Sequence, residues 1–283
     1  MTTDQEHTLR TLLFSIKDAQ YEKRTVAFYD VLGWRNKINR AGIDSRKLAE
    51  LQKIVLMFAL FSESATFRAE DVRVSTFSDN VVVSCPVDST SVGVLFTRLS
   101  MVQVRAALSG FLIRGGITIG DIFHDERVVF GPALVKAYAI ESEVANYPRL
   151  VLDREATELA KHPDLAGFAV DEAGVLFLDP FRIDFWQSTI SWLASSSDFR
   201  YQDEIREEGD ALLQFRIICA GLEQQMKEAL VDREYAKIRW LWERLTDEII
   251  LCQLPDTVAL AFRAKMAKNR SKGKPAKTHR SHQ

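Results

Sequence analysis

Val26-Ala-Phe-Tyr-Asp-Val-Leu-Gly-Trp34 is the stretch whose reading decides the fold. The run is apolar and rich in β-branched and aromatic side chains, which predicts a strand buried on both faces, yet it carries a carboxylate, Asp30. An ionised carboxylate there is costly unless it is paired, hydrogen-bonded or bound to a metal. Downstream, Val72 to Ser84 repeats the pattern: Val-Arg-Val-Ser-Thr-Phe leads into Ser78-Asp79-Asn80 and then Val-Val-Val-Ser. The triplet predicts a tight hairpin turn with Asp79 at its tip. Taken singly, Asp30 reads as a satisfied buried carboxylate and Asp79 as an ordinary turn residue. If the hairpin pairs beside the first strand, the two converge as oxygen donors suited to Mg²⁺ or Mn²⁺, with waters and phosphate oxygens completing the shell.

Outward from these strands, Thr8 to Lys17 has helical spacing, and Asp44-Ser45 caps a helix whose apolar positions run from Leu48 to Phe61. A helix is expected from Ser89 to Ser109, then a second hairpin of Phe111–Ile119 and Ile122–Phe130 around Gly120-Asp121 and His124-Asp125-Glu126. Pro132 opens a helix through Val144, Leu150–Leu152 is a strand, and residues 166–178 hold two short strands around Glu172-Ala173-Gly174. Strand, helix, hairpin, helix, hairpin, helix, strand is an α+β order, a sheet with helices on one face. Beyond Pro180 the composition shifts to long helical patterns, Phe199–Leu230 and Arg233 to about Met266, a helical hairpin for packing or dimerisation. The organisation expected is residues 1–180 as the main domain, 181–266 as a helical extension and 267–283 as a basic, disordered tail.

The chain's 283 residues carry 37 basic and 39 acidic side chains. Eight of the bases lie in residues 263–283, which hold no acid, so the remainder has 29 bases against 39 acids. Glycine, proline and hydroxyl residues interrupt that tail and no aromatic stands among its bases, so a solubilising end is favoured over a specific nucleic-acid site. The polar start, the short apolar runs and three scattered cysteines (Cys85, Cys219, Cys252) lead to an expectation of a soluble cytoplasmic protein with reduced thiols and no membrane span. The five histidines have no metal-ligand spacing, and neither a Walker loop nor a Ser/His/Asp order is visible.

Phe28-Tyr29-Asp30-Val31-Leu32-Gly33-Trp34 resembles the first metal motif of class III nucleotidyl cyclases, and Ser75-Thr76-Phe77-Ser78-Asp79 resembles their second. Arg114-Gly-Gly-Ile-Thr-Ile-Gly120, Val129-Phe130-Gly131 and the helix through Glu141-Ser142 are similar to the third and fourth landmarks, so the resemblance covers about residues 24–155. Within the family the sequence most resembles the pyrimidine cyclases of bacterial Pycsar antiphage systems. The resemblance implies a ferredoxin-like catalytic domain and two divalent ions, Mn²⁺ or Mg²⁺, held by Asp30, Asp79 and the Val31 carbonyl. It also implies a head-to-tail homodimer with composite sites, acting on a nucleoside triphosphate and making a messenger sensed by a separate effector. Substrate contacts are then expected at Phe28, Leu32, Gly33, Trp34, Ser75, Lys136 and Tyr138, with the amides of Leu32 to Trp34 meeting the triphosphate.

The departures narrow the base. Where purine cyclases keep base-reading side chains, this chain has Ser75 and Val128, and the family's Asn and Arg after Phe-Gly are Val135 and Ala139. The family Arg after the Gly120 turn is replaced by Asp121. Lys136, Arg149, Arg35 and Arg114 are candidate substitutes for the lost cations, each equally readable as solvated surface. Tyr138 is either a wall of a pyrimidine-sized pocket or a packed aromatic. Arg46 and Arg40 are candidates to read uracil O4, so UTP is favoured over CTP. The alternative is a catalytically degenerate nucleotide-binding module, which intact Asp30 and Asp79 oppose and the lost Asn and Arg favour.

Overall fold

The structure is a computed structural model and describes residues 20–63, 71–160, 167–194, 210–229 and 231–254. The expected helix at Thr8–Lys17 and the basic tail lie outside these residues, as do the first turns expected at Phe199 and the end expected near Met266.

Strand β1 (Glu22–Val31) is the axis of the sheet. It pairs antiparallel with β3 (Asn80–Pro86) on one side and, along all of its length, with β4 (Ile113–His124) on the other. Alternation sends Ala27, Tyr29 and Val31 into the main core with Phe58, Leu95 and Leu99, while Val26 and Phe28 face a second cluster with Val82, Ile122, Ala133 and Ala137. Asp30 follows the parity of Val26 and Phe28.

The main core is covered by α2 (Ser45–Glu63) and α3 (Ser89–Leu108). Each starts on an aspartate: the Asp44 carboxylate accepts from the Arg46 and Lys47 amides, and that of Asp88 from the Ser91 amide. Strand β2 (Arg73–Phe77) closes a hairpin with β3 through Ser78-Asp79. A short helix the sequence reading passed over, α1 (Trp34–Ala41), follows β1 directly. With β5 (Val129–Phe130), β6 (Leu150–Leu152), β7 (Phe168–Val170) and β8 (Leu176–Leu178), the strand order is β2-β3-β1-β4-β6-β8-β7, with β5 paired to the end of β4. Its β2-β3-β1-β4 part, all antiparallel, is the ferredoxin-like arrangement of an α+β fold.

The second hairpin departs from expectation. Gly120-Asp121 is not its turn: β4 runs straight through both, because Arg24 and Lys23 of β1 pair with them. The chain turns at Asp125–Val128, where the Asp125 carboxylate accepts from the Arg127 and Val128 amides. Helix α4 (Pro132–Ala139) then lies on the face of the sheet that carries Asp30 and runs into a π-helical turn, Ile140–Val144. Its closeness depends on Gly116, whose added Cβ would stand 2.6 Å from Ile140 Cβ.

After α5 (Arg154–Ala160), the chain adds α6 (Ile183–Ala194) and the antiparallel pair α7 (Ala211–Glu228) and α8 (Asp232–Leu251). Trp186, Phe215, Leu222, Ile238 and Leu245 belong to the same apolar cluster as the sheet. Trp240 of α8 stacks on Tyr147 at 5.2 Å and meets Phe177 edge-on, so the hairpin also clasps the sheet's other face.

Candidate active site

Asp30 is the penultimate residue of β1, and Arg114 of β4 stands opposite it in register. The Arg114 Nε lies 3.2 Å from Asp30 Oδ1, and the same guanidinium contacts Glu141. Glu141 comes from the π turn, where a widened turn aims a buried carboxyl at the sheet. Burial, and next the charge of Asp30, push Glu141 up to about 7, with Arg114 opposing. Arg114 thus stands between the two carboxyls, which would otherwise meet only each other's charge.

Asp79 sits at the β2–β3 turn, where Ser78 adopts φ +58°. The Trp34 indole donates to the Ser78 hydroxyl at 3.0 Å and so ties the start of α1 to this turn. Gly33, at φ +74° with open space around its missing Cβ, makes the bend that sets Trp34 there. The Asp79 carboxyl is raised above the usual range by burial and by the charge of Asp30, against hydrogen bonds from its own amide, Ser78 and the Val31 amide. Asp30 and Asp79 stand near enough for the charge of the first to act on the second. The pair fits the two-carboxylate set expected for Mg²⁺ or Mn²⁺; among the described residues no group of three or more His, Cys, Asp or Glu is placed to hold a metal ion, so phosphate oxygens and water would complete the shell.

Beside this centre, a cavity of about 450 Å³ opens between α1, the start of β4 and the C-terminal hairpin. Gly33, Asn36, Arg114, Gln225, Arg233 and Lys237 are among its walls. Burial first, then the charges of Arg114 and Arg233, bring Lys237 below the usual lysine value, against a smaller pull from Asp30 and Glu141.

The remaining sequence candidates fall as follows. Leu32 lines the cavity, but its amide donates to the Leu112 carbonyl at 2.7 Å, so it is not available to a triphosphate as expected. Phe28 is buried and packs edge-on to the exposed Tyr138 at 5.4 Å. Lys136 is held by Asp153 at 2.6 Å, level with Thr118 rather than Arg114, about 13 Å further along β4 at ~3.3 Å per residue. Arg149 is buried, paired with Asp171 at 2.7 Å and packed against Phe177, not free for phosphate, because it lies in the bend that leads straight into the core strand β6. Arg35 and Arg46 are exposed, and Arg40 donates to the Glu228 carbonyl at the cavity rim.

Ser75 is not a free hydroxyl. It bonds His124 Nε2 at 3.0 Å; His124 Nδ1 meets Ser84 at 2.8 Å, and Ser84 accepts from the buried Arg24. Burial, with Arg24 and Arg73 nearby, pushes His124 down to about 4. A depressed folded-state pKa stabilises above the unfolded value of about 6.5 and the gain is lost as pH falls towards 4. Between pH 7 and 4 the wild type should therefore lose about 3 kcal/mol more stability than His124→Gln, measured by urea unfolding. Parallel pH profiles would show that His124 titrates normally.

Sequence reading missed Glu141 as a site residue, along with Lys237 and His124. Glu141 left one trace, an acid on the helix after Phe130-Gly131; Lys237 left none.

No protein-family model matches the chain, and no curated protein matches it in sequence. Among solved structures it is similar to the guanylyl cyclase Cya2 (TM-score 0.39, 13% identity, 57% of this chain and 92% of that one) and to a bacterial light-regulated adenylyl cyclase (TM-score 0.41, 12% identity, 57% and 92%). It is also similar to a class III adenylyl cyclase-like ATP-binding protein from Pseudomonas aeruginosa (TM-score 0.37, 14% identity, 80% of this chain and 52% of that one). At these scores the overlap is partial, and the site is read from its own geometry.

Proposed function

We propose that the chain is a nucleotidyl cyclase that converts a pyrimidine nucleoside triphosphate, UTP before CTP, to the 3′,5′-cyclic monophosphate and pyrophosphate. The observation that carries this reading is the meeting of Asp30, from the end of β1, with Asp79, from the β2–β3 turn, beside a cavity rich in cations. In the reaction the ribose 3′-oxygen bonds to the α-phosphorus as the bond to the β-phosphate oxygen breaks, and the hydroxyl proton leaves to solvent or a base. Bound divalent ions would acidify that hydroxyl and neutralise the phosphates. Asp30 and Asp79 would hold the ions, Arg114 fixes the orientation of Asp30, and the Trp34–Ser78 bond fixes the Asp79 turn against α1.

Ser75, engaged by His124, and the apolar Val128 present no partner for a purine edge, which supports the smaller base. Exposed apolar side chains at Phe77, Val135 and Tyr138, on the Asp79 hairpin and on α4, support a homodimer that completes each site across its interface. No helix among the described residues is long and apolar enough to cross a membrane. In this reading the product is a messenger of antiphage defence, read by a separate effector. The second reading, a nucleotide-binding module without turnover, draws on Arg114 occupying Asp30 and on Lys136 being bound by Asp153.

Incubation of the protein with Mn²⁺ and each of the four triphosphates, followed by mass identification, decides between them. Cyclic UMP is expected to form fastest, cyclic CMP next, and the purine products several-fold more slowly. A dominant cyclic AMP or cyclic GMP product would overturn the base assignment, and binding without any product would favour the module.

A further inference from the structure

The cavity between α1 and the C-terminal hairpin is left unexplained by the fold. Its walls carry five cationic side chains, Lys37, Arg40, Arg114, Arg233 and Lys237, against two carboxylates, Glu228 and Glu234. Three of the cations are already engaged: Arg114 by Asp30 and Glu141, Lys37 by the Gly110 carbonyl at 3.0 Å, and Arg40 by the Glu228 carbonyl. Arg233 and Lys237, one turn apart on α8, have no carboxylate within ion-pair distance among the described residues. Lys37 and Lys237 are each pushed below the usual lysine range by burial and by a neighbouring arginine. Like charges gathered in a recess, at a cost to each, mark a place shaped for an anion.

Two further features point the same way. Helix α1 begins at this cavity, with its first internal hydrogen bond from the Lys37 amide to the Gly33 carbonyl, so the Trp34, Arg35 and Asn36 amides have no helical acceptor. The cavity also shares Arg114 with the carboxylate centre, so an anion there would be continuous with ions held by Asp30 and Asp79.

We propose that the C-terminal hairpin is part of the substrate site: the terminal phosphates of the nucleotide lie in this cavity, against the start of α1, and are gripped by Lys237 and Arg233 of α8. The proposal rests on the cyclase reading for the nucleotide, while the anion site stands on its own geometry. It gives α7 and α8 a part in substrate capture. Arg233 is exposed and Lys237 half-buried, so the first can meet an incoming phosphate and the second hold it.

The test uses the full chain and inorganic tripolyphosphate without divalent ions, measured by isothermal titration. Lys237→Met and Arg233→Met should each weaken binding about ten-fold and the double variant more, with Lys237→Arg retaining most of it and Arg239→Met, at an exposed pair with Glu243, unchanged. With UTP and Mn²⁺, Lys237→Met should raise KM by a similar factor while kcat changes less than three-fold, a split that a folding defect would not give. Tripolyphosphate affinity within two-fold of wild type in both Lys237→Met and the exposed-site variant Arg233→Met overturns the proposal. If Asp79→Asn keeps its turnover, the cyclase reading fails while the tripolyphosphate contrast still decides the anion site. If Asp79→Asn is inactive and Lys237→Met binds and turns over like wild type, the hairpin's role alone fails.

Discussion

Asp79→Asn is expected to lower cyclic nucleotide formation about a hundred-fold or more, some 2.7 kcal/mol of transition-state stabilisation, without loss of thermal stability. The two halves of this result have separate causes. Activity falls because one of two converging carboxylates is lost. Stability holds because the Asp79 carboxyl is raised by burial and by Asp30, so its ionised form costs free energy in the folded state at neutral pH, and a neutral amide relieves that cost. Asp30→Asn should remove activity to the same extent, but it also takes the charge that pairs with Arg114, so stability falls as well. Initial rates with Mn²⁺ and a thermal melt of the same preparation check both. More than a tenth of wild-type activity in Asp79→Asn would remove the basis for a paired-carboxylate mechanism.

Gly116→Ala should be a severely damaging single-methyl change, at about 3 kcal/mol or more. The new Cβ would overlap the Ala137 carbonyl oxygen and stand 2.6 Å from Ile140 Cβ; the first is backbone and the second is fixed directly to it, so neither can swing aside as the end of a long side chain can. The helix must lift from the sheet, which withdraws Glu141 from Asp30 and Arg114. Activity should therefore fall along with stability. By contrast, Gly33→Ala meets open space and carries only the strain of a positive φ, so it should cost about 1 kcal/mol. Chemical unfolding of the two variants ranks them; equal losses would show that α4 is not seated on Gly116.

The strands were legible because burial on both faces writes itself as an unbroken apolar run, and Asp30 stood out against that run. Asp79 was legible from Ser-Asp-Asn between two β-branched segments. The misplaced turn at Gly120-Asp121 has a physical reason: local turn chemistry was present, but ten residues of β1 offered a partner ladder and tertiary pairing won. Helix α1 was missed because its eight residues, Trp-Arg-Asn-Lys-Ile-Asn-Arg-Ala, carry too few apolar positions to show a period. Glu141 and Lys237 acquire their meaning only through approach in space, one by a π turn and the other by a helix more than a hundred residues downstream of β4. Lys136 and Arg149 were overvalued because sequence shows a cation but not the carboxylate that has already claimed it.

The unbroken pairing of β1 also constrains how this protein can change over time. Side chains alternate along the strand, so one residue inserted or deleted between Lys23 and Tyr29 would, with the ladder to β4 kept, turn Asp30 into the aliphatic core and bring Tyr29 or Val31 to its place. The lesion would change the length by a single residue and hardly alter the composition, yet it would be fatal to the site. Divergence across this segment is therefore confined to substitution, whereas the Asp125–Val128 turn lies past the end of that register and can vary in length. Relatives that keep the chemistry should show β1 free of gaps from Glu22 to Gly33, with their insertions gathered at the far end of β4.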